Sequence, residues 1–105
     1  FALHERFGRL EMREVLAPAI DYARRGFPLS PVIADAWRIS AERYRSYPNF
    51  LAQFTIDGRA PRAGEMWHNP NLAATLESIA EHGRDAFYSG AIGETIASFL
   101  QSQGN

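Results

Sequence analysis

The chain has 105 residues, of which 46% are hydrophobic and 22% are charged, and its formal net charge at pH 7 is −1. This composition is typical of one small globular domain or of a piece of a larger one, and it argues against disorder. A net charge so close to zero gives no electrostatic basis for binding nucleic acid. The chain lacks cysteine, which excludes disulfides and thiolate catalysis, and no apolar run is long enough to span a bilayer.

Apolar spacing and end signals predict two helices in the first quarter of the chain. Residues 1–7 are interpreted as the end of a helix that Gly8 stops in the left-handed conformation. A second helix is predicted over about 12–25, ending at Gly26. Pro18 is placed near the first turn of this helix, where a missing N–H has little to lose.

The middle of the chain begins with a clear helix signal and then becomes irregular. Ser30-Pro31 combines a hydroxyl N-cap with proline at the first helical position, and the helix that follows is predicted to fade before residue 48. Residues 48–69 are predicted to be irregular because turn-forming residues are frequent there. Short extended pieces are expected at 53–56 and 65–67.

The last third of the chain predicts two helices joined by a glycine-rich corner. Asn69-Pro70 repeats the cap-plus-proline signal, and Gly83 ends the helix that it starts. Phe87 and Tyr88 lie in a short turn, where we expect them to anchor the corner by burial. Both helices carry apolar residues at i, i+4, i+7 and i+8, which are Leu72, Leu76, Ile79 and Ala80 in the first and Ile92, Ile96, Phe99 and Leu100 in the second.

The three histidines do not form a metal motif in the sequence. His4-Glu5 begins like a zinc-protease helix, but Gly8 occupies the place where the second histidine would have to lie. His68 and His82 are far apart in the sequence, and His82 is interpreted as a cation at a helix end. We therefore assign no metal ligand.

Other candidate chemistry is also weak. Glu77 and Glu81 share a helix face as a candidate acid pair, but like charges at this spacing usually mark a solvated surface. The stretch GAIGETI has only part of a dinucleotide fingerprint and no strand before it. No catalytic, substrate-binding or cofactor-binding residue is assigned, and no cofactor is predicted.

Five aromatic residues lie close together in the middle of the chain: Trp37, Tyr44, Tyr47, Phe50 and Phe54. A ligand-lining role and a packing role are both open for this cluster. Packing is favoured because these aromatics lie on a predicted helix and on the loop that leaves it.

Several separated stretches, taken in order, resemble the large-subunit region of the γ-glutamyltranspeptidase family. They are LHERFGRL, VLAPAIDYARRGFPLSP, DGRAPRAGE and NPNLAATLESIAEHGRDAFYSGAIGETIASFL, and the resemblance extends over essentially the whole chain. It implies an N-terminal-nucleophile hydrolase with two stacked sheets between helical layers, an αββα architecture. This chain is expected to be a mainly α, helical segment of that α+β fold.

The resemblance also implies an activity whose reacting groups lie elsewhere. In this family a precursor cleaves itself, and the new N-terminal threonine of the small subunit attacks γ-glutamyl amides such as glutathione. The γ-glutamyl group then passes to water, to an amino acid or to a peptide, while some relatives cleave other amides. Thr55, Thr75 and Thr95 do not match the Thr-Thr-His type of cleavage sequence. No arginine here is assigned to the substrate's carboxylate, so the resemblance places no catalytic residue in this chain.

Residues 1–105 are accordingly expected to form a single helical segment, a fragment of the large subunit of a longer precursor. Its expected partners are the small subunit and the rest of the large subunit, and the chain alone should be inactive and prone to self-association. Family habit favours a periplasmic or secreted enzyme, with a cytoplasmic one as the alternative. The competing functional hypothesis is a stand-alone helical interaction module without catalysis.

Overall fold

The computed structural model describes residues 1–104 and is mainly helical, as the sequence predicted. Within these described residues, two short strands and seven helices follow one another in the order α1 Ala2–Phe7, α2 Met12–Arg25, β1 Phe27–Pro28, α3 Pro31–Arg43, α4 Pro48–Phe54, β2 Met66–Trp67, α5 Pro70–His82, α6 Arg84–Tyr88 and α7 Ala91–Ser102. None of the described helices is both long and apolar enough to cross a membrane.

The chain divides into two compact units. One comprises Phe1–Asp21 together with the described residues from Pro70 onward, and the other comprises Tyr22–Asn69. Helix α2 contributes to both units, because the division falls between Asp21 and Tyr22. The expectation that 1–105 form one structural segment stays a prediction.

The first helices differ from the sequence prediction in two details. Gly8 follows α1 with φ −69° and ψ 145°, which is extended and not left-handed. Glycine is needed there for another reason, since a Cβ at Gly8 would lie 2.5 Å from the His4 ring. Pro18 is the seventh residue of α2 and lies inside it, so α2 continues past a residue with no N–H for the Glu14 carbonyl.

In the first unit, α5, α6 and α7 pack consecutively, and small residues fill their interior. Ala73 is fully buried and Ala86 is 7% exposed. A Cβ at Gly93 would lie 2.6 Å from the Phe87 carbonyl oxygen, and one at Gly90 would lie 3.0 Å from Ala86 Cα. Glycine is therefore required at position 93 of α7 and at its N-cap, position 90, because α6 approaches closely at both places.

The predicted corner is therefore different from the observed one. Residues 84–88 form a short helix instead of a turn, and it is Ala86 that is buried. Phe87 is 41% exposed and Tyr88 is 73% exposed, so the prediction that they anchor the corner by burial was wrong. Gly83 does end α5, with φ 72° in the left-handed region.

In the second unit, the chain leaves α2 through Gly26 and enters a two-stranded antiparallel sheet. Phe27 pairs with Trp67, and Pro28 pairs with Met66. The Leu29 N–H donates to the Glu65 carbonyl at 3.1 Å, which extends the pairing beyond the strands. The extended piece predicted at 65–67 is therefore β2, whereas its partner β1 was not predicted.

Helix α3 begins as predicted, and α4 was not foreseen. The Ser30 hydroxyl accepts the Ile33 N–H at 3.3 Å, and Pro31 occupies the first helical position. Residues 48–54 are helical although they were predicted to be irregular, because Pro48 starts a helix in the same way after Tyr47. Only Ile56 of the predicted extended piece 53–56 has strand-like pairing, an isolated bridge to Arg59.

Replacement of Gly26 by alanine should destabilise the second unit by about 1–3 kcal/mol. Gly26 has φ 86°, and a Cβ there would lie 2.8 Å from the His68 ring and 2.9 Å from the Trp67 carbonyl oxygen. Urea unfolding followed by circular dichroism measures the change.

Gly58→Ala is the matched control for this variant. Gly58 also has a positive φ, of 81°, but no atom lies within 4 Å of its added Cβ. It should report backbone strain without the steric clash, and equal destabilisation by the two variants would contradict the packing explanation.

Candidate functional site

Each of the three histidine rings has a polar protein atom close to one of its nitrogens. His4 Nε2 lies 2.6 Å from the Leu10 carbonyl oxygen, and His68 Nδ1 lies 3.3 Å from the Arg24 carbonyl oxygen. His82 is in the last turn of α5, with its Nε2 at 4.0 Å from a carboxylate oxygen of its neighbour in sequence. Within residues 1–104, no three His, Cys, Asp or Glu side chains are placed to hold a metal ion.

The candidate acid pair lies on a charged surface. Glu81 Oε1 is 3.8 Å from Arg13 Nη2, and both side chains are mostly exposed. Glu77 and Glu81 help to line a shallow depression of about 410 Å³ between α2 and α5, together with Asp21. Glu81 is therefore a solvated surface group, as interpreted from the sequence, whereas Glu77 is half-buried.

The three threonine hydroxyls are occupied inside or beside their own helices. Thr75 donates to the Asn71 carbonyl at 3.0 Å and Thr95 donates to the Ala91 carbonyl at 2.7 Å. Thr55 donates in the same way to the Leu51 carbonyl. A nucleophilic hydroxyl needs a base to accept its proton, and here each proton is directed to a backbone carbonyl.

The predicted aromatic cluster is a continuous row of six rings in the second unit. Neighbouring ring centroids along the row are 4.6–6.4 Å apart, in the order Tyr47, Tyr44, Phe50, Phe54, Trp37 and Trp67. The indole N–H of Trp37 donates to the Phe54 carbonyl at 2.8 Å, which joins α3 to α4. Trp67 extends the row to β2, a contact that the sequence did not indicate.

One side of this row borders an open depression, which we call the apolar groove. It has a volume of about 280 Å³, and its lining residues are Ile33, Ala36, Trp37, Ser40, Phe50 and Phe54. The two side chains with polar atoms, Trp37 and Ser40, both donate to backbone carbonyls. The groove therefore presents apolar surface without an uncommitted donor.

A second depression, the charged cleft, lies on the other side of α3. It has a volume of about 490 Å³ and is lined by Ala34, Asp35, Arg38, Ala41, Glu42, Arg45, Leu51 and residues 58–63. Two of its arginines form ion pairs within one turn of chain: Arg38 with Asp35 at 2.9 Å and Arg45 with Glu42 at 2.8 Å. Exposed pairs of this kind contribute little to stability.

The loop that borders the charged cleft is closed by a two-point ion pair. The Arg59 guanidinium donates to the two carboxylate oxygens of Glu65 at 2.9 and 2.6 Å, and the Arg62 backbone N–H donates to the same carboxylate at 2.8 Å. These bonds stabilise the ionised form and lower the pKa of Glu65 from 4.5 to about 2. The same contact raises the pKa of Arg59.

Several of the candidate polar groups are held by contacts within the described residues. Glu81 is mostly exposed, the three threonine hydroxyls are bonded to carbonyls, and three arginines of the charged cleft are paired with carboxylates, namely Arg38, Arg45 and Arg59. Sequence reasoning missed the Arg59–Glu65 pair. The signal that could have found it is the run DGRAPRAGE, in which the two charges flank a loop with glycine near each end.

Comparison with known proteins assigns this segment to a family. The gamma-glutamyltranspeptidase family profile matches residues 1–105. The chain is 40% identical over 104 residues to the glutathione hydrolase-like YwrD proenzyme of Bacillus subtilis, covering 99% of the chain and 20% of that protein. It is 35% identical over 101 residues to the glutathione hydrolase proenzyme of Escherichia coli, covering 95% of the chain and 17% of that protein.

A solved structure shows the same arrangement. Cephalosporin acylase from Bacillus halodurans matches with a TM-score of 0.94 and 35% identity, over 99% of this chain and 20% of that one. The chain belongs to the gamma-glutamyltranspeptidase family, as the resemblance in its sequence implied. It spans about a fifth of the length of the relatives it matches.

Substitution of Glu65 by glutamine should lower stability at neutral pH and flatten its acid dependence. Because the pKa of Glu65 is lowered on folding, its ion pair stabilises the fold above pH 4.5, and this stabilisation is lost as pH falls towards 2. The native chain should therefore lose stability over this pH range, and Glu65→Gln should lose less of it. Urea midpoints measured at about pH 6 and about pH 3 test the difference.

The matched control is Glu42→Gln, which removes one end of an exposed ion pair on the other wall of the charged cleft. Glu42→Gln should lower the stability at neutral pH by less than Glu65→Gln does, because the Glu42 and Arg45 side chains are both mostly solvated. Identical midpoints for the two variants at neutral pH would contradict a special role for the Arg59–Glu65 contact.

Proposed function

We propose that residues 1–105 are a scaffold segment of the large subunit of a γ-glutamyltransferase-like enzyme. The observation that carries the proposal is the match to cephalosporin acylase, in which nearly all of this chain superposes on one fifth of a longer chain. The commitment of the three threonine hydroxyls to backbone carbonyls agrees with a scaffold role.

The complete enzyme is proposed to cleave γ-glutamyl amides of the glutathione type. Its nucleophile is an N-terminal threonine created when the precursor cuts itself, and that threonine lies outside residues 1–105. The α-amine of that threonine takes the hydroxyl proton as the oxygen attacks the amide carbonyl, the proton passes to the leaving amine as the C–N bond breaks, and a γ-glutamyl ester remains. Water or the amine of an amino acid or peptide then attacks the ester and releases the threonine.

The segment's own contribution is to present surface to the remainder of the precursor. Among the described residues, the buried hydrophobic ones are four alanines, one leucine and one tryptophan. Large apolar side chains at the surface include Ile33 at 50%, Leu72 at 46%, Phe99 at 47% and Leu100 at 46% exposure. Exposed apolar surface of this extent is typical of a part that is covered by other chain.

The alternative function is a stand-alone helical interaction module, which the same exposed residues also favour. The two proposals differ in the length of the reading frame. A frame that continues through a Thr-x-His-type cleavage site supports the enzyme, whereas one that closes near residue 105 supports the module.

The activity is tested by expressing the complete reading frame. We expect the precursor to divide into two subunits and to release aniline from a γ-glutamyl anilide. Alanine in place of the new N-terminal threonine should abolish this release. An intact, inactive precursor would contradict the proposal.

The isolated 105-residue chain should release no aniline above the buffer rate, because its three threonine hydroxyls each donate to a backbone carbonyl and the proposed nucleophile lies outside residues 1–105. The same assay, run with equal molar amounts of isolated chain and complete enzyme, measures this. Release that rises with the concentration of the isolated chain would show that the segment carries catalytic groups of its own.

The isolated chain should also self-associate and bind a hydrophobic dye. Phe99→Gln and Leu100→Gln remove exposed apolar side chains from α7 and should reduce both effects. Gln101→Ala, on the same helix, is the control and should change neither. Sedimentation and dye fluorescence give the result, and a monodisperse monomer that binds no dye would contradict the expectation.

A further inference from the structure

We propose that the apolar groove is the binding site for an apolar segment of the same polypeptide, and that this segment lies outside residues 1–105. This inference rests on the proposed function, since it requires a longer precursor, and it names the surface through which that precursor holds the segment. The charged cleft on the other side of α3 is assigned to solvent.

The chemistry of the groove selects an apolar occupant. The indole N–H of Trp37 is committed to the Phe54 carbonyl at 2.8 Å, and the Ser40 hydroxyl is committed to the Ala36 carbonyl at 3.1 Å. The remaining lining side chains are apolar, and no charged residue lines the groove. A charged group placed there would lose most of its hydration, and the Ser40 oxygen is the one side-chain acceptor in the lining that could compensate for it.

The same reasoning disfavours a γ-glutamyl compound as the occupant. Such a molecule carries an α-ammonium and an α-carboxylate, and burial of these charges against apolar rings is costly. The volume of about 280 Å³ is also at or below the lower end of small-molecule sites, which are usually about 300–1,000 Å³. A space of this size suits one or two protruding side chains.

Two large apolar side chains of the groove are partly exposed to solvent, and a covering segment would bury them. Ile33 is 50% exposed and Phe54 is 37% exposed, although both are large apolar side chains. Phe54 belongs to the aromatic row, which Trp37 connects to a buried end at Trp67, 7% exposed. A covering segment would extend the buried packing of Trp67 along this row.

The length of the relatives favours the same polypeptide over a second copy. This chain occupies 20% of the cephalosporin acylase chain and 17% of the Escherichia coli protein. A covering segment in the same chain is tethered, so its effective concentration is about millimolar or higher. A second copy must compete with that tethered segment from solution.

Two alanines on α3 give a matched test in the complete protein. Ala36 lines the apolar groove and is exposed in the segment, whereas Ala41 lines the charged cleft and is half-buried. The segment contains no cysteine, so Ala36→Cys and Ala41→Cys each introduce one thiol into it. Maleimide labelling of the native protein, read by mass spectrometry of the α3 peptide, reports the accessibility of each thiol.

In the segment alone, a thiol at position 36 should react faster than one at position 41, because position 36 is more exposed. Covering of the groove should reverse this order of reactivity. We expect the thiol at position 36 to react about tenfold or more slowly in the native protein than in denaturant, and the thiol at position 41 to react faster than the one at 36. Rapid labelling at 36 would overturn the inference. Protection that disappears on dilution, as dimers dissociate, would also overturn it, because the occupant would then be a second copy.

Two further measurements separate this inference from the proposed activity and replace the labelling if a variant is insoluble. Aniline release, measured on the same samples, tests the proposed activity separately: an active enzyme with a rapidly labelled thiol at 36 retains the function and loses this inference. If the Ala36→Cys protein is insoluble, hydroxyl-radical oxidation of Phe54 in the unmodified protein replaces the labelling. Slow native oxidation of Phe54 supports a covered groove, and oxidation at the unfolded rate contradicts it.

Discussion

The second unit depends on the contacts of one side chain, Trp37. Its indole N–H is bonded to the Phe54 carbonyl, and its ring meets Trp67 at 4.6 Å edge-on. These contacts connect α3 to α4 and to β2, and the Tyr44–Phe50 ring contact adds a second link between the end of α3 and α4. The hydrogen bond contributes about 0.5–1.5 kcal/mol and the ring pair a similar amount beyond its buried area, so both act at the same junction. The position of the apolar groove follows from this junction, because Trp37 and Phe54 form part of its lining.

Local end signals made most helices predictable, and their limits explain the errors. Pro31 and Pro70 each follow a side chain that can cap a helix, and both helices start where the sequence places them. Pro48 starts α4 equally well, but Tyr47 is not a capping residue and a seven-residue helix is too short to show periodicity. The burial expected of Phe87 and Tyr88 failed because close helix packing favours small residues, which is a tertiary effect.

The sequence predicted most of the aromatic cluster, but it did not predict the Arg59–Glu65 ion pair. The aromatic cluster follows from spacing along neighbouring helices, so the sequence indicated its members, with the exception of Trp67. The Arg59–Glu65 pair depends on the path of a loop in which Asp57, at φ 51°, adopts a left-handed conformation. Such a path is not encoded by periodicity, and the pairing of the two charges was therefore visible only in three dimensions.

The distribution of apolar residues connects the fold to its context. Alanine has little surface to remove from water, at about 0.8 kcal/mol per buried CH₂-sized group, and alanines form most of the buried hydrophobic set. About half of the larger hydrophobic contribution of residues such as Ile33, Phe99 and Leu100 is still unrealised in the segment, since each remains at least 46% exposed. Helix α3 shows the consequence most clearly, with paired charges on one side and an apolar groove on the other. A segment built in this way gains stability when neighbouring chain covers its apolar sides, and this agrees with a family whose members are about five times its length.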